Sequence, residues 1–72
     1  MINKDFYKQI GINIKKYRNK QNLTQQKLAD KAGITLNHLG KIEVAYSKPS
    51  LDVIISIASA LNITVSELCK FD

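Results

Sequence analysis

The stretch TLNHLGKIE, residues 35–43, places unlike chemistries side by side. At ~100° per residue around a helix, Leu36, Asn37, Gly40 and Lys41 share one side with Val44 just beyond. Leu39 and Ile42 share the other side, with Glu43 at its edge. The first group offers an apolar side chain, an amide, a bare backbone and an ammonium. An amide can pair with adenine N6 and N7, an ammonium can donate to guanine O6 and N7, and an apolar group can meet a thymine methyl. Glycine inside a helix costs roughly 1 kcal/mol relative to alanine, but it lets a backbone approach a partner closely. A DNA major groove, about 12 Å wide, admits one helix and displays these base edges. The alternative is an ordinary solvated face with one tolerated glycine.

Other chemistry is sparse. One histidine, His38, and one cysteine, Cys69, cannot build a zinc finger or an internal disulfide. No paired carboxylates suggest a catalytic site, so no enzyme, metal or cofactor is expected. His38 can donate to a phosphate when protonated, or simply be solvated. The 72 residues point to one domain, residues 1–72. Eleven Lys and Arg against six Asp and Glu leave a net charge of +5. That excess favours a polyanion, either nucleic acid or an anionic membrane. With no Trp and only five Phe and Tyr, a base-stacking platform is not expected. The opening MINKDFYKQIG lacks a signal-peptide core, and no apolar run nears the ~18 residues of a membrane span. A cytoplasmic protein with no membrane contact and no small-molecule ligand is expected.

The elements that would position the outer face are all helical. Phe6, Ile10, Ile14 and Tyr17 predict a helix over roughly 5–20, with Asp5 and Lys20 suiting the macrodipole and Ile12 off the buried stripe. Thr24 caps a second helix over 25–32, which Gly33 ends. Thr35 caps a third over 36–44, so only Gly33 and Ile34 separate the second helix from that cap. Such a connection forces the sharp angle of a helix-turn-helix, here about 25–44. A loop through Pro49 leads to a fourth helix over 51–61, capped by Ser50, with Leu51, Ile54, Ile57, Ala58 and Leu61 as its core stripe and Asn62 closing it. Thr64 and Glu67 form a capping box for a fifth helix over 65–70, with Val65, Leu68 and Cys69 facing inward. The fold class expected is a compact all-α, five-helix domain.

Residues 22–43, NLTQQKLADKAGITLNHLGKIE, resemble the Cro/repressor-type helix-turn-helix family, the lambda-repressor-like DNA-binding domains of bacterial and phage regulators. Leu23-Thr24-Gln25, Leu28-Ala29, Gly33-Ile34, Leu39 and Ile42-Glu43 carry the resemblance. Arg18, Pro49-Ser50-Leu51, Ile57-Ala58, Leu61-Asn62-Ile63-Thr64 and Glu67-Leu68 extend it over about residues 10–70. The resemblance implies that Leu36, Asn37, Gly40 and Lys41 read bases. It implies that Gln25 touches a phosphate while bracing the recognition helix, and that Thr35, His38, Tyr46, Ser47 and Lys48 lie along the backbone. It makes Arg18 and Glu43 a partly buried salt bridge rather than DNA contacts. The family often has glycine where this chain has Ala45, and polar side chains at the positions of Leu36 and Gly40.

The expected function is sequence-specific binding of double-stranded DNA by a transcriptional regulator, a repressor or a restriction-modification controller. One small domain offers one reading helix, so a homodimer on a palindromic site is expected. With the chain ending soon after the fifth helix, the domain's own surface is expected to supply the dimer contact. Val65, Cys69, Phe71 and Ile55 are the candidates; the alternative is that most of them complete the core. A different class remains open: an antitoxin-like or anti-regulator protein whose main partner is another protein.

Overall fold

The computed structural model describes residues 4–71, with side chains described from Phe6 onward. Five helices follow one another: α1 (Lys4–Lys20), α2 (Gln25–Ala32), α3 (Leu36–Glu43), α4 (Leu51–Ala60) and α5 (Val65–Leu68). Among the described residues there is no strand. The effect expected of Asp5 on the macrodipole concerns a side chain outside the described residues.

The four expected caps form. Thr24, Thr35, Ser50 and Thr64 each sit in extended backbone and accept from the amide three residues on. That bond satisfies one of the orphan donors at each helix start. Glu67 returns the favour, accepting from the Thr64 amide at 3.0 Å and completing the capping box.

Four helices also end in one way. Asn22, Gly33, Ala45 and Asn62 adopt left-handed backbone, with φ of 56, 72, 61 and 58°. After each, the next residue's N–H returns to a carbonyl five residues back: Leu23 to Arg18, Ile34 to Ala29, Tyr46 to Lys41, Ile63 to Ala58. This is the Schellman closure, in which the residue after the left-handed one usually packs inward. Leu23, Ile34 and Ile63 do so against the core. Tyr46 does not; it is 79% exposed.

The core gathers Ile10 and Ile14 of α1, Leu28 and Ala29 of α2, Leu39 and Ile42 of α3, Ile54, Ile57 and Ala58 of α4, and Leu61 and Leu68. Ile12 is exposed, as its place off the stripe predicts. Leu51 overturns its expected core role, being 65% exposed. As the first residue of α4 its Cβ tilts back past the helix end, away from the packed turns.

Helix bounds shift at three C-termini. Helices α3 and α4 stop at Glu43 and Ala60, one residue short of expectation, with Val44 and Leu61 as caps. Helix α5 stops at Leu68, two residues short. Its chain is drawn onto α1 instead: the buried Asn13 amide donates to Leu68 O at 2.8 Å and Lys70 O at 2.9 Å. Phe71 then stacks on Phe6, ring centroids 5.5 Å apart.

Candidate nucleic-acid interface

Helix α3 is held by one side only. Leu39 and Ile42 are fully buried, and the Glu43 carboxylate is nearly so, its side chain 3% exposed. Arg18 grips that carboxylate with two donors, Nε to Oε2 at 2.7 Å and Nη2 to Oε1 at 3.1 Å. Its third donor, Nη1, reaches Leu23 O at 2.9 Å. Gln25 Nε2 donates to Glu43 Oε1 at 3.0 Å. One carboxylate therefore joins α1, the start of α2 and the end of α3. The planar guanidinium fork is suited to this paired geometry.

A second anchor was not foreseen. A Cβ on Gly11 would lie 2.6 Å from Glu43 O and 2.7 Å from Ile42 O. Helix α1 thus lays its bare backbone against the last carbonyls of α3. Gly11 and Arg18 are two turns apart on one face of α1, so both anchors act along a single line. Asn13 and Gln21, which donates to Leu61 O at 2.7 Å, are the other polar ties that sequence reasoning missed. Their partners are distant in the chain, and no local spacing announces them.

The free side of α3 is brought together as expected. Leu36, Asn37, Gly40 and Lys41 line one open hollow of about 480 Å³, joined by Val44 and Tyr46. A Cβ on Gly40 would meet nothing within 4 Å. The Lys41 ammonium stands 5.7 Å from the Tyr46 ring centroid, a contact worth about 0.5–1 kcal/mol at an exposed site. Tyr46 can form this rim because it swings out where the other three helix closures pack in.

The remaining candidates surround this hollow less uniformly. Thr35 Oγ1 is occupied in capping the His38 amide at 3.0 Å, and His38 is half-buried in the first turn. The Ser47 amide bonds Lys41 O at 3.2 Å. The exposed Lys48 has its Nζ 5.6 Å from the Tyr7 ring centroid. Gln25 spends one amide N–H on Glu43 and retains a second donor.

The four dimer candidates are spread over α4, α5 and the residues after it. Ile55 and Val65 line a concavity of about 470 Å³ between α4 and α5 that Cys69 and Phe71 do not line. Phe71 is turned onto Phe6, and Cys69 is half-buried, its thiol pKa raised by desolvation. No helix among the described residues is long and apolar enough to cross a membrane.

This arrangement, two helices at a tight turn with the second anchored on one face and open on the other, has counterparts. Residues 14–68 match the helix-turn-helix family. The chain belongs to that family, the Cro/repressor-type helix-turn-helix DNA-binding regulators. It is 36% identical over 56 residues to control protein C.SmaI of Serratia marcescens, covering 78% of this chain and 67% of that protein. It is 39% identical over 59 residues to the immunity repressor of Bacillus phage phi105, covering 82% of this chain and 41% of the repressor. The chain therefore spans less than half of that repressor's length. Its fold is similar to that of SinR, a master regulator of biofilm formation solved in complex with DNA. There the TM-score is 0.80 at 31% identity, over 85% of this chain and 98% of the other.

Proposed function

We propose that this chain is a sequence-specific regulator of transcription that binds double-stranded DNA as a homodimer on a palindromic operator. The observation that carries this reading is the hollow of Leu36, Asn37, Gly40, Lys41, Val44 and Tyr46 on a helix whose opposite side is fixed by a shared buried carboxylate. Helix α3 enters the major groove. Asn37 pairs with adenine and Lys41 donates to guanine. Gln25, Thr35, His38, Tyr46, Ser47 and Lys48 hold the phosphates, which fixes register without reading sequence. The Arg18–Glu43 pair stays inside and touches no DNA.

The role is that of a repressor, as the name of the phage relative suggests, or of a controller, as that of control protein C.SmaI suggests, here of a restriction-modification system. A methyltransferase and endonuclease gene beside this one would favour the controller. The test is selection of bound duplexes from a random DNA pool, followed by titration at several salt concentrations. Enrichment of an inverted repeat, with the logarithm of affinity falling linearly in log salt, is expected. Absence of salt-sensitive binding would overturn the proposal.

A further inference from the structure

The hollow on α3 is more apolar at its centre than base reading by hydrogen bonds requires. Its floor is the backbone at Gly40, with nothing within 4 Å of a would-be Cβ. Its walls are Leu36, one turn before, and Val44, one turn after, 42% and 74% exposed. Asn37 and Lys41 stand to the flank, and the Lys41 ammonium is drawn toward Tyr46 at the C-terminal rim. Apart from its two chain neighbours and the backbone of its own helix, no residue comes within 4 Å of a Cβ built on Gly40.

In the major groove only one base carries an apolar group, the C5 methyl of thymine. We propose that Leu36, Gly40 and Val44 form a seat for a thymine methyl group, which makes Val44 a specificity-determining residue. The inference rests on the reading of α3 as the recognition helix. Leu36 and Val44 lie about 12 Å apart along the axis at 1.5 Å rise per residue, and the floor between them is open because residue 40 has no side chain. The ammonium at the rim and the net charge of +5 fit a polyanion carrying the methyl rather than an apolar peptide. Asn37 flanks the seat, within reach of an adenine beside the methyl, in the same base pair or the next.

The probe is the duplex obtained by selection, with each thymine of a half-site replaced singly by uracil. Uracil lacks only the methyl and keeps every hydrogen-bonding group. At one thymine per half-site, uracil should weaken binding about three- to fourfold, the effect of one buried methyl-sized group. Val44→Ala should bring the thymine-to-uracil ratio at that position toward one. Gly40→Ala should do the same by filling the floor, and its melting temperature should not fall, because alanine favours helix. Two results overturn the seat: uracil neutral at every position, or a ratio unchanged in both variants. Failure to select any duplex would instead refute DNA reading itself, so the two failures are distinct.

Discussion

Gly40 and Glu43 lie three residues apart on α3 and have opposite duties. Gly40→Glu would set a carboxylate on the floor of the hollow, facing phosphates. Nothing crowds that site, so the fold should survive while DNA binding is abolished. Circular dichroism together with a binding titration checks both halves, and normal binding would reduce the glycine to a tolerated cost. Glu43→Ala should do the reverse. It strips the Arg18 guanidinium, whose side chain is 11% exposed, and the Gln25 amide of their shared acceptor. Breaking a pair this well buried should cost about 3–5 kcal/mol, read by urea or thermal unfolding. The salt bridge was legible in the sequence only through the family resemblance, since nothing local ties residue 18 to residue 43. Gly11 was invisible for a related reason. A glycine in mid-helix looks like a weakness until the carbonyls of Ile42 and Glu43 are seen against it.

The helices were legible because α2 to α5 begin, and α1 to α4 end, by local rules. A threonine or serine three residues before an acceptor-seeking amide is a short-range pattern, and so is an asparagine or glycine where φ must be positive. Ala45 breaks the second rule. It holds φ of 61°, where an L-residue bears a strain of about 1–2 kcal/mol. Ala45→Gly should therefore stabilise the domain by up to about 1 kcal/mol, the relief of strain being offset in part by glycine's greater freedom when unfolded. A rise in melting temperature is the expected sign, and a fall would mean that the alanine methyl contributes packing of its own.

Helix α5 is the short element, and its cap titrates. The Thr64 amide and hydroxyl both donate to Glu67, which holds the carboxyl below its ordinary value. A lowered folded-state pKa means stability present above the unfolded pKa and lost as pH falls through the folded one. The end of the domain should thus loosen only below the usual glutamate range. In Thr64→Ala the Glu67 pKa, followed by NMR, should move back up, because the hydroxyl donor is gone and the cap is weakened. The expected bounds of α5 were too long because the capture of its last carbonyls by Asn13 depends on a residue 55 positions away in the chain.

The whole domain measures 31 × 21 × 19 Å and presents one helix, α3, for the proposed reading. Successive major grooves on one side of B-DNA lie about 34–36 Å apart, so a single copy can read one half-site. On a palindromic duplex two copies should bind, and on an isolated half-site one copy should bind more weakly. Sedimentation of each complex gives the stoichiometry; one copy per palindrome would refute the dimer. A surface that could join two copies was the least legible feature. Exposure of apolar residues identifies what is uncovered in one chain, not what covers it: Phe71 stacks on Phe6 and still leaves 47% of its surface exposed.

The holding side and the open side of α3 have no residue in common. Leu39, Ile42 and Glu43 fix the helix; Leu36, Asn37, Gly40, Lys41 and Val44 face outward. With α3 as the reading helix proposed above, its outward face would be an interchangeable cassette. Rewriting the five outward positions from another member of the family would transplant a new target preference without disturbing the scaffold. After a gene duplication, two sister copies could diverge to separate promoters by the same few changes, while remaining equally able to fold.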